Sequence, residues 1–240
     1  MSSPLIRAID KFFYPGHEDN WDDQLLRQAI LSELKPGFHI LDLGAGAGIV
    51  PQMNYRGLVA RVVGVDPDPR VKDNPYLDEA HVGLGNAMPY FPANTFDLVF
   101  SDNVLEHVEK PDTFLEEIHR ILKPGGLLIT KTPNRRHYMP LIARITPHWF
   151  HRLYNRLRGR HSADTFPTLY RLNTRNDQHR YAEGAGLRVK SILGIEGRPE
   201  YLRLSFLIYP LGIAYERTVN ALGLEDWRIL FISIFEKPRS

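Results

Sequence analysis

Three glycines at alternate positions follow a short apolar run near residue 40 of this 240-residue chain. They are Gly44, Gly46 and Gly48, at the end of the run Ile40-Leu-Asp-Leu-Gly-Ala-Gly-Ala-Gly48. A glycine turn directly after a strand lets a ligand approach the backbone, because no Cβ stands in the way. Asp66 ends a second apolar run about 20 residues further on, where a carboxylate can accept both hydroxyls of a ribose. These residues predict a site for a nucleoside-containing ligand.

The spacing of the glycines bears on which nucleoside is bound. Alone, the loop and Asp66 would suit NAD as well as S-adenosylmethionine. However, the run Gly44–Gly48 places its third glycine one residue too early for the dinucleotide pattern G-x-G-x-x-G. The spacing therefore argues against NAD, and a glycine turn with only a structural role is a further alternative.

Five segments, in order and between Phe38 and Pro133, resemble the motifs of class I S-adenosylmethionine-dependent methyltransferases. The segments are Ile40–Gly48, Val63–Asp66, Gly85–Tyr90, Thr95–Val108 and Leu122–Ile129. They are most similar to a broad subgroup that includes ubiquinone-type O-methyltransferases and many natural-product and glycan-cluster enzymes. One departure is Asn86, where the family usually has Asp. Asparagine keeps an acceptor oxygen and adds a donor, so recognition of the adenine amino group is retained with a weaker field.

The resemblance implies roles for the matching positions in holding S-adenosylmethionine, whose product is S-adenosylhomocysteine. The backbone of Gly44 and Gly46 is expected to meet the methionyl and ribose parts, Asp42 to orient the loop or the ligand ammonium, and Asp66 to take the ribose hydroxyls. The other expected cofactor-binding residues are Asn86 and Ala87 around the adenine, Ser101 and Asp102 near the methionyl ammonium, and Ala45, Pro67, Met88 and Asn103 beside them. Asp102 can also cap the turn that follows it.

His107, just past the fourth predicted strand, is the candidate general base. Imidazole titrates near neutrality, and a base is needed only if the acceptor is an alcohol, a phenol or a protonated amine. The alternative is that Glu106-His107 only packs this turn against the sheet and the N-terminal segment. Both interpretations stay open at this point.

Several other chemistries are excluded or disfavoured. The chain has no cysteine, which removes disulfides, thiolate metal sites and cysteine nucleophiles. No Asn/Asp-Pro-Pro-Tyr motif follows the fourth strand, so amino methylation of bases or of glutamine is not expected. The ten histidines are scattered, and no metal is expected. The N-terminus lacks the apolar core of a signal peptide, and no apolar run is long enough for a membrane span. We therefore expect a cytoplasmic protein, with peripheral membrane contact left open.

Apolar runs alternate with helical stretches along much of the chain, which predicts an α/β fold with a doubly wound, Rossmann-like sheet. The resemblance implies seven strands, mostly parallel, with helical insertions after strand 5 and between strands 6 and 7. We expect a single methyltransferase domain over residues 1–240. Its parts are an N-terminal helical lid (1–35), the cofactor-binding core (36–133), a substrate-cap insertion (134–173), and the C-terminal part of the core (174–240) with a helical insertion at about 199–224.

The first insertion is the expected source of substrate specificity. Residues 134–163 contain seven arginines and no acidic residue, although the whole chain has a net charge of only +2. The insertion could be a cap over a small, anionic acceptor, a surface that lies on an acidic membrane and presents a lipid or quinone, or a grip on RNA. The cap is favoured and nucleic acid is the least supported, because the total charge is low. The default for such a segment is a solvated cationic face.

Six residues are expected to contact the acceptor or to close the site over it. They are Tyr14 and Trp21 in the N-terminal segment, and Asn134, Arg135, His137 and Tyr138 after the fifth strand. Ordinary packing is the alternative for Tyr14 and Trp21.

The sequence thus predicts a methyltransferase that acts on a small molecule, with oxygen as the favoured atom. N-methylation, or a lipid or quinone acceptor at the membrane surface, is the alternative within the class. An alternative from another class is a regulatory protein that binds S-adenosylmethionine without turnover. The sequence does not specify the acceptor, the pathway or the oligomeric state.

Overall fold

A computed structural model describes residues 4–17, 20–140 and 167–239. The helices among these residues are α1 Pro4–Phe13, α2 Trp21–Glu33, α3 Pro111–Ile121, α4 Arg175–Gly184 and α5 Tyr209–Ala221. The strands are β1 His39–Leu43, β2 Arg61–Asp66, β3 Glu79–Val82, β4 Phe96–Asp102, β5 Leu122–Pro133, β6 Arg188–Ile195 and β7 Leu230–Glu236.

The seven strands form one sheet in the order β3-β2-β1-β4-β5-β7-β6. Strands β1 to β5 pair in parallel, and β7 runs antiparallel to both β5 and β6. The predicted seven-stranded, mostly parallel sheet is therefore confirmed. The chain leaves β1 toward β2 and leaves β4 toward β5, so the strand order reverses between β1 and β4. Ligands of such sheets bind in the crevice beyond the carboxyl ends of the strands at this switch point.

Both faces of the sheet are covered, which explains why its central strands are apolar along nearly their whole length. On one face, α2 buries Leu26 and Ile30 completely. On the other face, α3 buries Phe114 and Ile118. Burial of each such side chain stabilises the fold by about 1.5–3 kcal/mol. The two helices hold the switch point between them.

The connections β1–β2, β2–β3 and β3–β4 contain no α-helix, which departs from the regular alternation that the sequence predicts. The first two instead contain short 3-10 turns, at Pro51–Met53 and Pro69–Asp73. Pro51 and Pro69 each begin one of these turns, a position at which the missing N–H of proline needs no partner. Arg27 of α2 supports the first turn, since its guanidinium donates to the carbonyls of Gln52 and Asn54.

The N-terminal segment consists of two helices with separate contacts. The α2 helix belongs to the core, whereas α1 packs on α5, where Ile6 contacts Tyr209 and Ile213. Thr174 caps the N-terminus of α4, because its hydroxyl accepts the N–H of Asp177. Most of the arginine-rich insertion, residues 141–166, lies outside the described residues. Over the described ranges, every helix is too short or too polar to span a membrane.

Candidate active site

The glycine loop follows β1 at the switch point, and its backbone requires glycine at two positions. Gly44 and Gly48 have φ angles of +83° and +70°, which L side chains rarely adopt. A Cβ at Gly44 would also overlap a methyl group of Val104, and one at Gly48 would overlap the Asn74 amide. The turn after β4 and the segment after β2 therefore pack against the loop on two sides and fix its backbone conformation.

Asp66 fixes this loop from the end of β2. Its Oδ2 accepts the N–H of Gly46 at 2.9 Å, and its Oδ1 accepts the N–H of Asp68 at 2.7 Å. The Asn74 amide donates to the carbonyl of Ala45 at 2.9 Å. Each carboxylate oxygen can accept more than one hydrogen bond, so Asp66 retains capacity for ribose hydroxyls. Asn74 could not be predicted as a loop contact from the sequence, because Asn-Pro is typical of an ordinary turn.

The loop after β3 contains the residues expected around the adenine. Asn86 is half-buried and Ala87 is exposed, and Pro67 is exposed after β2. Met88 differs, because its side chain is completely buried in the core and its N–H donates to Glu117. Its carbonyl accepts from Arg120. The side chain of Met88 therefore packs in the core, whereas the adenine contacts of Asn86 and Ala87 stay predictions.

Carboxylates gather beneath the loop, at the ends of β1, β2 and β4. Asp42 is almost completely buried, and burial raises its pKa well above the usual range, with further contributions from Asp102 and Asp66. Burial also raises the pKa of Asp102, to about 6, against the lowering effect of Lys131. The neighbouring Ser101 hydroxyl is buried and has no hydrogen-bond partner within the described ranges. The site is thus strongly acidic.

Lys131 provides the positive charge beside these acids. It lies on β5 opposite Asp102 of β4, and its side chain is completely buried. Its ammonium lies 2.9 Å from Oδ1 of Asp102 and 2.8 Å from Oδ2 of Asp22, and it also contacts Asp23. Asp22 and Asp23 open α2. Lys131, Asp22 and Asp23 were not among the predicted site residues. A lysine within an apolar strand does indicate an acidic partner, because buried lysines are almost always paired.

His107 lies in the turn after β4, beside the downstream end of the insertion. Its Nδ1 lies 2.9 Å from the carbonyl oxygen of Pro167. A carbonyl carries no hydrogen, so Nδ1 must donate, and Nε2 of the neutral ring then carries no proton. This tautomer presents Nε2 as a proton acceptor, as a general base requires. Asn103, also predicted at the cofactor, is exposed at the start of this turn, with a φ of +53°.

Glu106 anchors the same end of the insertion. Its backbone carbonyl accepts the N–H groups of Leu169 and Tyr170. Its carboxyl group is buried, which raises its pKa to about 7, and it accepts a 3.2 Å hydrogen bond from Thr132. Tyr170 has a φ of +54°, which is strained for a large side chain. The turn Leu105–His107 therefore positions the residues that re-enter the core after the insertion.

Four of the predicted acceptor residues come together beyond β5 and β6. His137 is completely buried, with Nε2 3.3 Å from Oε2 of Glu196, and its ring packs on Tyr138 at 4.1 Å between centroids. Trp21 packs on Gly197, where a Cβ would lie 2.6 Å from the indole. Tyr14 donates to Glu216 at 3.1 Å and also experiences the charge of Glu196.

Asn134 and Arg135 hold the base of the insertion. Asn134 is completely buried, and its amide donates to the carbonyls of Asp226 and Arg228, both at 2.8 Å. Its Oδ1 accepts the N–H of Arg136. The Arg135 guanidinium donates to the Tyr170 carbonyl at 3.2 Å. Both N–H groups of the Asn134 amide are used inside the protein and the side chain is buried, so it holds the base of the insertion to the segment before β7.

The electrostatics of the site fit a cationic ligand better than a dinucleotide. Pyrophosphates are commonly bound at the N-terminus of an α-helix, whose dipole is positive there, but the glycine loop leads into the 3-10 turn Pro51–Met53. Five carboxylates lie here instead. Those of Asp22, Asp23 and Asp102 contact the ammonium of Lys131, and those of Asp42 and Asp66 lie near Asp102 and each other. S-adenosylmethionine has a sulfonium and an ammonium group, so the residues present fit it. The described ranges contain no group of three or more side chains arranged to hold a metal.

Comparison with known proteins agrees with this geometry. Residues 41–130 match the family model described as a methyltransferase domain. Over residues 41–130, the chain therefore carries a methyltransferase domain. Domains of this class use S-adenosylmethionine as their cofactor. The matched segment spans β1 to β5 and contains the glycine loop, Asp66, Asp102 and His107.

The relatives of this domain include enzymes of quinone biosynthesis. The chain is 33% identical over 133 residues to a demethylmenaquinone methyltransferase of Symbiobacterium thermophilum, which covers 51% of this chain and 52% of the relative. It is 35% identical over 121 residues to a ubiquinone biosynthesis O-methyltransferase of Maricaulis maris, with 47% of each chain covered. The chain thus spans about half the length of these curated relatives.

A solved structure extends the likeness in fold beyond the matched segment. An S-adenosylmethionine-dependent methyltransferase from Mesorhizobium loti superposes with a TM-score of 0.57, over 90% of this chain and 97% of the other. The two sequences are 16% identical, so this likeness concerns the fold alone.

Proposed function

We propose that this protein transfers the methyl group of S-adenosylmethionine to an oxygen atom of a small-molecule acceptor. The observation that carries the proposal is the glycine loop at the switch point, with Asp66 beneath it and acidic side chains at the adjoining strand ends. When bound, the cofactor supplies an electrophilic methyl group on sulfur. The work left to the chain is to bind and orient the two reactants and to accept a proton.

His107 suits an acceptor that must lose a proton, as a hydroxyl group does. A hydroxyl group becomes a better nucleophile as its proton is removed, and Nε2 of His107 is the unprotonated nitrogen of the ring. The relative from Maricaulis maris is itself named an O-methyltransferase. We propose that His107 accepts the hydroxyl proton, while the four clustered side chains Tyr14, Trp21, His137 and Tyr138 enclose the acceptor.

Cofactor binding is tested first, by titrating S-adenosylhomocysteine into wild-type protein and into Asp66→Ala. The matched control is Asp68→Ala, which changes a partly exposed aspartate two residues further along that pairs with Arg70. Loss of one charge-assisted hydrogen-bond acceptor costs about 1.5–3 kcal/mol, so Asp66→Ala should bind at least 10-fold more weakly. The Asp68→Ala protein should bind as the wild type does. Equal affinities in all three proteins would contradict the assignment of Asp66.

Turnover is tested with methyl-labelled S-adenosylmethionine and a small-molecule extract of the source organism, with mass spectrometry of the labelled product. A labelled methyl ether supports the proposal, and a labelled amine would replace oxygen by nitrogen. Binding of the cofactor with no labelled product in any fraction would instead favour a regulatory protein that binds S-adenosylmethionine.

A lipid-like acceptor at a membrane surface is the second candidate, because apolar side chains are exposed around the start of α5. Leu207 and Leu211 are 72% and 66% exposed, and Phe12 of α1 is 78% exposed. Exposed apolar side chains on a segment beside basic residues are typical of proteins that lie on a bilayer. Flotation with vesicles that contain anionic lipid at low salt tests this candidate. Protein that stays at the bottom of the gradient would remove it.

A further inference from the structure

Lys131 is a buried lysine at the carboxyl end of β5 that the proposed mechanism does not use. Its side chain is completely buried, which costs several kcal/mol for an ammonium group unless partners replace its water. Three carboxylates do so: those of Asp22, Asp23 and Asp102. Such an arrangement is costly to assemble, and a sheet needs only an apolar residue at this position.

The geometry at Asp102 shows what Lys131 does there. Lys131 and the Asn103 amide both contact Oδ1 of Asp102, at 2.9 and 2.8 Å. The N–H of Asn103 also donates to the carbonyl of Lys131 at 2.9 Å. The other oxygen of Asp102, Oδ2, has no hydrogen-bond partner within the described ranges. Two donors on one oxygen fix the carboxylate group and leave the second oxygen for a ligand.

The charges that face Asp102 come from four directions. Lys131 approaches from β5 and is the cation in contact with it, whereas Asp22 and Asp23 approach from α2. Asp42 on β1 and Glu106 in the following turn are also close enough to interact with it. Without Lys131, these acids and the loss of water would all favour the protonated, uncharged form of Asp102.

We propose that Lys131 is a positioning residue for the cofactor: it keeps Asp102 ionised and oriented to accept the methionyl ammonium, and it fastens the start of α2 against that end of the pocket. This inference rests on the proposed function. It assigns Asp22 and Asp23 the task of holding the Lys131 ammonium in place from the opposite side.

The test compares the pH dependence of S-adenosylhomocysteine binding in wild type, Lys131→Met and the matched control Lys123→Met. S-adenosylhomocysteine has the same amino-acid end as the cofactor and cannot be turned over. Lys123 pairs with Asp97 at 2.7 Å between the same two strands, β5 and β4, but at their opposite ends. Calorimetric titrations between pH 5.5 and 8 give the dissociation constant at each pH.

In the wild type, affinity should fall as the pH drops through about 6, since Asp102 takes up a proton there. In Lys131→Met, the fall should begin at higher pH, so the loss of affinity relative to the wild type should be larger at pH 7 than at pH 8. The Lys123→Met protein should follow the wild type. An unchanged affinity in Lys131→Met, or a loss by the same factor at every pH, would overturn the proposal.

A second variant covers the case in which Lys131→Met fails to fold. In the double variant Asp22→Asn, Asp23→Asn, the lysine stays and the two carboxylates that raise the pKa of Asp102 are removed. The fall in affinity should then move to lower pH, opposite to Lys131→Met, and a shift upward or no shift would overturn the proposal. If the wild type itself does not bind S-adenosylhomocysteine, the proposed function fails, and the inference fails with it.

Discussion

Substitution of Gly44 by alanine should both destabilise the protein and weaken cofactor binding, and the structure separates two causes. The φ of +83° costs an L residue about 1–2 kcal/mol. In addition, the new Cβ would overlap the Val104 methyl group, and overpacking of this kind costs about 1–3 kcal/mol. The expected loss in free energy of unfolding is therefore about 2–5 kcal/mol.

Gly57 offers the matched control for the backbone contribution. Its φ is +78°, and a Cβ there would have no atom within 4 Å. Gly57→Ala should therefore cost only about 1–2 kcal/mol and leave the affinity for S-adenosylhomocysteine unchanged. Urea unfolding followed by circular dichroism measures the free energies, and calorimetry measures the affinities.

Val104→Ala completes the comparison as a double-mutant cycle with Gly44→Ala. Removal of the Val104 methyl groups should recover the overlap contribution, about 1–3 kcal/mol, and leave the backbone contribution in place. The reasoning is refuted if Gly44→Ala is no more destabilising than Gly57→Ala, or if Val104→Ala recovers nothing.

Three further predictions concern the turn after β4 and the base of the insertion. The raised pKa of Glu106 means that the folded protein keeps a proton which the unfolded chain releases, so the free energy of unfolding should fall by about 3 kcal/mol from pH 4.5 to 7. In Glu106→Gln, the free energy of unfolding should not show this decrease with pH. If it varies with pH in parallel in the two proteins, the assignment to Glu106 is wrong. Asn134→Ala should cost about 2–3 kcal/mol in urea unfolding, because two buried carbonyls lose their donor, with cofactor affinity kept. His107→Ala should lower the rate of methyl transfer about 10²–10⁴-fold with cofactor affinity kept, and an unchanged rate would exclude it as the base.

Much of the sheet could be predicted from the sequence, because the signal for a buried strand is local. The apolar run that ends at Asp66 contains three valines and no turn residue other than Gly64, and it forms β2. Thr174 could be identified as a helix cap for the same reason, since its partner Asp177 is three residues away. The absence of α-helices after β1 and β2 could not be predicted from Pro51 and Pro69, because proline is compatible with the first position of a helix, as Pro111 of α3 shows.

The parts of the site that the sequence analysis missed depend on long-range pairing or on side-chain direction. A buried lysine at 131 implies acidic partners, but Asp22 and Asp23 are more than a hundred residues away and resemble an ordinary helix start. Met88 and Asn134 show the second difficulty. A motif places Met88 near the cofactor, and the position after the fifth strand places Asn134 near the acceptor. Only the fold determines that the side chain of Met88 enters the core and that the Asn134 amide bonds to the segment before β7.

The two roles that the sequence left open for His107 are compatible, because they use different atoms of one ring. Nδ1 donates to the carbonyl of Pro167 and so holds the end of the insertion, and the same bond leaves Nε2 unprotonated. Asparagine can supply an N–H at nearly the position of Nδ1 but has no basic nitrogen. His107→Asn should therefore keep the anchor and the stability while the rate falls as far as in His107→Ala. If the anchor were the whole role of His107, His107→Asn would restore the rate, and base catalysis at this position would be wrong.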